Sequence, residues 1–206
     1  MTMLFMLFST NVFAADPNKP HPHQGKAEVF TVPSKTTLTA AEVTTIKSGK
    51  PILKQVKKGK NGGRGIAIMD LNASQETIWQ IITDYKKYPT YISNLDKTEN
   101  YRTTGNHVYT HFTLSGMMIS IDYYVKHTLN KKDGYVTWTL DYDRLSDLDD
   151  STGYWYLYPS PDNPGKTRVE YTIDVRVNGI AKVAQPILAD RGLKDATKWV
   201  KKAAEK

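Results

Sequence analysis

The residues of this chain with the means to do chemistry are five histidines and a run of aspartates. His107 and His111 stand four apart in an alternating stretch, which puts them on one strand face, opposite Phe112. His127 falls on the neighbouring strand. Two or three imidazoles on one sheet face would hold a metal or move a proton, but no carboxylate stands at a spacing that completes such a site. His21-Pro-His23 is a two-histidine pattern with no third ligand nearby in the sequence. Asp141, Asp143, Asp147, Asp149 and Asp150 surround Arg144. A calcium loop needs glycine at its sharp turn, and none is present there, so the stretch reads as a solvated loop. Cysteine is absent, which excludes disulfides, thiol catalysis and cysteine–zinc centres. No glycine-rich phosphate loop or nucleophile elbow occurs. The inventory points to no metal and no cofactor, and to binding rather than catalysis.

Binding an apolar molecule asks for less: an enclosed apolar surface and a few polar groups for orientation. The chain carries 13 Tyr, 5 Phe and 4 Trp, rings with large apolar bodies and, in Tyr and Trp, one polar atom each. The candidate wall comprises Phe112, Leu114, Met118, Ile121, Tyr123, Trp138, Leu140, Tyr142, Trp155, Tyr171 and Ile173 from strands. Ile187, Leu188 and Trp199 would come from a C-terminal helix, and Tyr88, Tyr91 and Ile92 from the mouth. A filled sheet–helix interface would use the same residues. Burial is worth about 1.5–3 kcal/mol per side chain whether the neighbour is protein or ligand.

The elements that position these residues follow from periodicity. Thr39-Ala-Ala-Glu42 is a capping box for a short helix. Arg64–Leu71 reads as a strand. Ser74 offers an N-cap, and Ile78, Ile81, Ile82 and Tyr85 then form one helical face that Pro89 ends. Tyr91 and Ile92 belong to a second short helix or turn. Strands follow at 107–114, 119–125, 136–142, 153–158 and 167–177; in the last, Val169, Tyr171, Ile173, Val175 and Val177 keep strict period two. Gly105-Asn106, Lys132-Asp133-Gly134 and Pro161–Gly165 supply turns. After Asn178-Gly179 the period becomes helical through Ile180, Val183, Ile187, Leu188, Trp199, Val200 and Ala203, with Pro186 and Gly192 delaying the firm part. The order is a strand, two short helices, five or six antiparallel strands and a long helix. That helix is the element able to cover the sheet's inner face, which makes the fold α+β: a curved antiparallel sheet wrapped around a C-terminal helix.

Met3–Phe8 is a short apolar run, and Val12-Phe13-Ala14-Ala15 places small residues for cleavage after Ala14. The run is too short to span a bilayer. Residues 1–14 therefore read as a signal peptide, 15–37 as an extended linker containing the Pro-rich stretch Asp16–Gly25, and 38–206 as the folded domain. The expected location is periplasmic or secreted. The net charge of +7 is confined to the N-terminal part. Residues 1–64 hold 10 Lys/Arg and 3 Asp/Glu, whereas the remainder holds 18 of each. A body of balanced charge argues against nucleic acid as partner, and Lys47, Lys50, Lys54, Lys57, Lys58 and Lys60 offer peripheral contact with an anionic membrane.

Ile78-Trp79, Thr83-Asp84-Tyr85, Tyr88-Pro89 and Tyr91-Ile92 together resemble the opening of the START-like, or SRPBCC, superfamily, which includes polyketide cyclase/dehydrase-type and coenzyme Q-binding proteins. Gly153–Leu157 with Thr167–Tyr171 resembles its paired last strands. The resemblance spans residues 38–203 and departs where Tyr91-Ile92-Ser93-Asn94 replaces a usual proline. It implies a helix-grip fold with a hydrophobic cavity between sheet and helix. The function it implies is a carrier for a lipid, sterol, quinone or similar molecule, or alternatively a cyclase/dehydratase in which a cavity Tyr, His or Asp122 handles a proton.

Overall fold

The computed structural model describes residues 15–57, 62–116, 119–177 and 192–205. The element order is α1 (Ala40–Lys47), β1 (Ile52–Lys57), β2 (Gly62–Leu71), α2 (Gln75–Thr83), a 3-10 turn (Tyr85–Lys87), α3 (Tyr88–Tyr91), β3 (Leu95–Thr104), β4 (His107–Gly116), β5 (Ile119–Asn130), β6 (Tyr135–Leu140), β7 (Leu148–Pro159), β8 (Thr167–Val177) and α4 (Gly192–Ala204). The expected signal peptide, Met118, Ile187 and Leu188 lie outside the described residues. Among the described residues no helix is long and apolar enough to cross a membrane.

All eight strands join one curved antiparallel sheet in the order β1-β2-β8-β7-β6-β5-β4-β3. Two of them extend the expected set. β1 and β3 are the sheet's edges, and β3 carries the polar sequence LDKTENYRTT, buried only at Leu95. Edge strands are commonly blunted by charge in this way, so neither shows the alternation that marks the inner strands.

Local signals explain the helices. Thr39 and Glu42 form the expected reciprocal capping box at α1. The Ser74 hydroxyl accepts from the Thr77 amide at 3.0 Å and starts α2. α2 buries Ile78, Trp79 and Ile82, and α4 buries Leu193, Ala196, Trp199 and Val200. Leu193 rests where the absent side chain of Gly65 would stand: a Cβ there would lie 2.6 Å from the leucine. These helices cover the inner sheet face. The core there joins Met69, Leu71, Phe112, Val125, Val136, Trp138, Trp155, Leu157 and Val169 to Ile78, Ile82, Trp199 and Val200.

Residues 15–37, expected as a linker, lie instead across the outer face. The arm is fixed by long-range contacts: an Asp16–Leu145 bridge, the His21 amide on the Tyr142 carbonyl at 2.9 Å, Arg64 on Glu28 at 2.6 Å, and the Thr36 amide on Glu170 at 3.0 Å. The Phe30 ring packs edge-on to Tyr154 at 5.1 Å and beneath Arg64 at 4.8 Å. The outer face also carries a buried ion pair. Arg168 holds Asp70 through two bonds of 2.8 and 3.0 Å and reaches Asp162 at 2.9 Å.

Candidate functional site

Alternation along each inner strand sends one set of side chains toward α2 and α4. Register ties these sets into a continuous surface: Phe112 faces Tyr123, Val125 faces Leu140, His127 faces Trp138, Trp138 faces Gly153, and Trp155 faces Tyr171. Gly153 is a close approach. A Cβ there would fall 2.2 Å from the Trp138 ring and 2.2 Å from the Thr172 carbonyl oxygen, so Trp138 can lie flat over the β7 backbone.

The expected wall residues divide into two groups. Tyr88, Phe112, Trp138, Trp155 and Trp199 belong to the main buried cluster, with Tyr91, Ile92, Leu114, Tyr123, Tyr171 and Ile173 packed against it. Their rings are in contact: Tyr91 stacks on Trp199 at 5.5 Å, Phe112 on Tyr123 at 5.1 Å, and Trp155 meets Tyr171 at 4.3 Å. Ile121 and Leu140 form a second cluster with Leu148 and Val177. Tyr142 packs against that second cluster and donates its hydroxyl to Asp150 at 2.8 Å, beside the N-terminal arm. A cleft of about 180 Å³ is lined by Tyr91, Ile92, Asn94, Asp195, Lys198 and Trp199, among others.

Tyr123 and Tyr171 are half-buried on this surface, as are Leu114 and Ile173. Burial raises the pKa of both phenols, since the protein surrounds them and withdraws solvation from the anion.

His127 departs from its expected place. The sequence reading sets it beside His107 and His111, but β5 turns it inward with Tyr123 and Val125, whereas the other two face outward. His111 accepts or donates at Asp122 (2.7 Å) and His107 at Thr128 (3.0 Å). Thr113 also donates to Asp122, at 2.6 Å. Asp122, the carboxylate considered for proton handling, is therefore on the outer face. The His127 ring is 6% exposed and stacks on Tyr85 at 4.1 Å. Phe112 and Trp138 flank it at 6.0 and 6.4 Å. Burial pushes its pKa down to about 3, so the imidazole is neutral. Neither ring nitrogen, nor the Tyr85 hydroxyl, has a hydrogen-bond partner among the described residues. Leaving such groups dry costs about 1–3 kcal/mol each. Neither residue was among the expected wall positions, although the period-two pattern of 119–125, carried on by two residues, points His127 inward.

The acidic stretch is a ledge for the arm rather than a solvated loop. Asp147 accepts from the Ala15 and Asp122 amides, Asp150 from the Lys26 and Ala27 amides, and Asp149 from Lys26 Nζ at 2.9 Å. His21 and His23 meet Asp149, which supplies the third group missing from the local sequence. Their hydrogen bonds use both nitrogens of each ring. Gly25 donates to His23 Nδ1 at 3.0 Å and Ser146 to His21 Nδ1 at 3.5 Å, so each Nε2 carries the proton it donates to Asp149. Binding a cation at Nε2 would require breaking this pattern. Burial lowers the His21 pKa, offset in part by the Asp149 carbonyl, which favours the neutral ring.

No protein-family model and no curated protein matches the chain. Solved structures do. The START superfamily protein from Mycobacterium smegmatis superposes with a TM-score of 0.55 at 15% identity, covering 69% of this chain and 97% of that one. The STAR-related lipid transfer protein from Xanthomonas axonopodis gives 0.55 at 14% identity, covering 75% and 99%. The ZhuI aromatase/cyclase from Streptomyces sp. R1128 gives 0.59 at 12% identity, covering 70% and 94%. The chain has the START-like helix-grip fold. In this chain the inner sheet face, α2 and α4 enclose the aromatic surface, and α3 and α4 line the open cleft beside it.

Proposed function

We propose that the chain is a carrier that holds an apolar small molecule between its inner sheet face and α4. The observation that carries this reading is the continuous aromatic surface between the inner sheet face and α4, whose members Tyr91, Ile92 and Trp199 also line an open cleft of about 180 Å³. The names of two similar structures, a lipid transfer protein and an aromatase/cyclase, support an apolar ligand. Between those two activities the inner face favours carriage. Asp122 and His111 face outward, and an imidazole with a pKa near 3 is a poor base at neutral pH.

The carrier works outside the cytoplasm. Beyond the apolar run and the small residues before Ala15, the Ala15 nitrogen lies 2.9 Å from Asp147 Oδ1. Cleavage after Ala14 would turn that amide into an ammonium facing a half-buried carboxylate. Exchange of ligand takes place at an anionic membrane surface, to which the lysines of the N-terminal part are attracted. Lipids, sterols and quinones are the ligand classes in view.

Titration with Nile red and with decyl-ubiquinone tests the reading. Nile red emission should rise and shift to the blue, and the quinone should quench the tryptophans at 138, 155 and 199 and displace the dye. No response to either molecule would refute it. Mass analysis of the exported protein should find Ala15 at its start; a chain retaining residues 1–14 would remove the export part alone.

A further inference from the structure

Three polar atoms of the inner face are sealed from solvent and unpaired among the described residues: both ring nitrogens of His127 and the Tyr85 hydroxyl. The two side chains are 6% and 2% exposed and stacked on each other. Buried polar groups are overwhelmingly paired, so three on adjoining rings call for a partner that the described residues do not supply. A neutral imidazole presents one donor and one acceptor, and a phenol presents both.

The charge of the surrounding face decides what that partner is. The inward positions of β4–β8 run Val108, Thr110, Phe112, Leu114; Ile121, Tyr123, Val125, His127, Leu129; Val136, Trp138, Leu140; Gly153, Trp155, Leu157; and Val169, Tyr171, Ile173, Val175, Val177. None carries a charge. Arg168, Lys126 and Asp122 alternate to the other side. A carboxylate or phosphate placed here would find no counter-charge on the sheet's inner face, and an unpaired buried charge is costly.

We propose that His127 and Tyr85 form a polar anchor for one uncharged oxygen, a hydroxyl or a carbonyl, on an otherwise apolar, ring-shaped ligand. The anchor rests on the carrier reading and narrows it to neutral molecules such as phenols, quinones and sterols, against fatty acids and hydrocarbons.

Equilibrium dialysis of the full chain with naphthalene, 2-naphthol and 2-naphthoate at pH 7.5 tests the anchor. 2-Naphthol should bind about tenfold tighter than naphthalene, the return for pairing one dry polar group, and 2-naphthoate weakest of the three. His127→Phe keeps a flat ring on Tyr85; it should bring 2-naphthol to the affinity of naphthalene and leave naphthalene within about twofold of wild type, which also reports an intact cavity. If all three bind alike in wild type, the cavity stands and the anchor falls, its atoms being satisfied by a trapped water. If the preference survives in His127→Phe, the anchor falls likewise. If none binds, the carrier reading fails and takes the anchor with it. Nitrogen-15 histidine spectra of the wild-type chain give a readout independent of any variant. The His127 ring signals should move with 2-naphthol and not with naphthalene; the reverse or no movement overturns the proposal.

Discussion

Alanine at position 153 tests whether the aromatic wall is packed as described. Gly153 pairs with Trp138 across β6 and β7 and with Ile173 across β7 and β8. An alanine Cβ would stand 2.2 Å from Trp138 Cζ2 and 2.2 Å from the Thr172 carbonyl oxygen. Carbon atoms pack at about 3.5–4.0 Å, so the ring overlap is roughly 1.3 Å or more. The carbonyl belongs to the β8 backbone and cannot retreat without opening the ladder. The Trp138 ring has to swing, and Tyr171 stacks on it at 5.8 Å. Overpacking of this kind costs about 1–3 kcal/mol, and a clash on two sides belongs at the top of that range. For a chain of this size about 3 kcal/mol corresponds to a fall of roughly 6–12 °C in Tm. Urea unfolding followed by circular dichroism measures the loss, and tryptophan emission reports the displaced ring. Trp138→Phe combined with Gly153→Ala should recover part of the loss, because it removes one of the two clashes. A single Gly153→Ala variant within about 0.5 kcal/mol of wild type, with unchanged emission, would refute the reasoning.

Two further substitutions probe the buried polar groups. Arg168→Met leaves Asp70, whose side chain has no exposed surface, without its guanidinium. It should cost about 3–5 kcal/mol, and adding Asp70→Asn should restore part of it in a double-mutant cycle; additive losses would contradict a direct pair. His127 gives an acid signature. Its pKa is depressed by burial from the usual imidazole value of about 6.5 to about 3. A depressed folded value means that its contribution is complete above pH 6.5 and is lost as pH falls toward 3. The loss is about 1.4 kcal/mol per pH unit. The urea midpoint of wild type should therefore fall relative to that of His127→Phe from pH 7 through 5.5 to 4, and parallel curves would mean that His127 is not buried neutral.

What the sequence made legible was whatever repeats locally. Strict alternation in 167–177 located β8, and the helical spacing of Ile78, Ile81 and Ile82 with the Ser74 cap located α2, because each inner element meets the core on one face only. β3 stayed hidden because an edge strand buries so little: Leu95 is its one buried residue, and LDKTENYRTT has no apolar stripe to read. The docked arm was equally hidden. Most of its partners stand more than 120 residues away, as with Lys26 and Asp149 or Thr36 and Glu170, and a Pro-rich polar stretch looks the same whether it is free or held by backbone donors on buried carboxylates. Most aromatic residues of the inner face are legible from their parity. His127 shares its residue type with His107 and His111 but its parity with Tyr123 and Val125, and parity decides which face it occupies. Tyr85 was legible as buried through its helical spacing, but its lack of a partner is a property of three-dimensional packing alone.

The central claim is that the inner face encloses a ligand. Native mass spectrometry of the exported protein, with lipid extraction of the same sample, tests it most directly. The account predicts one apolar molecule per chain, uncharged and bearing a hydroxyl or carbonyl. A protein that is empty as isolated and stays empty after incubation with extracted membrane lipids would contradict it.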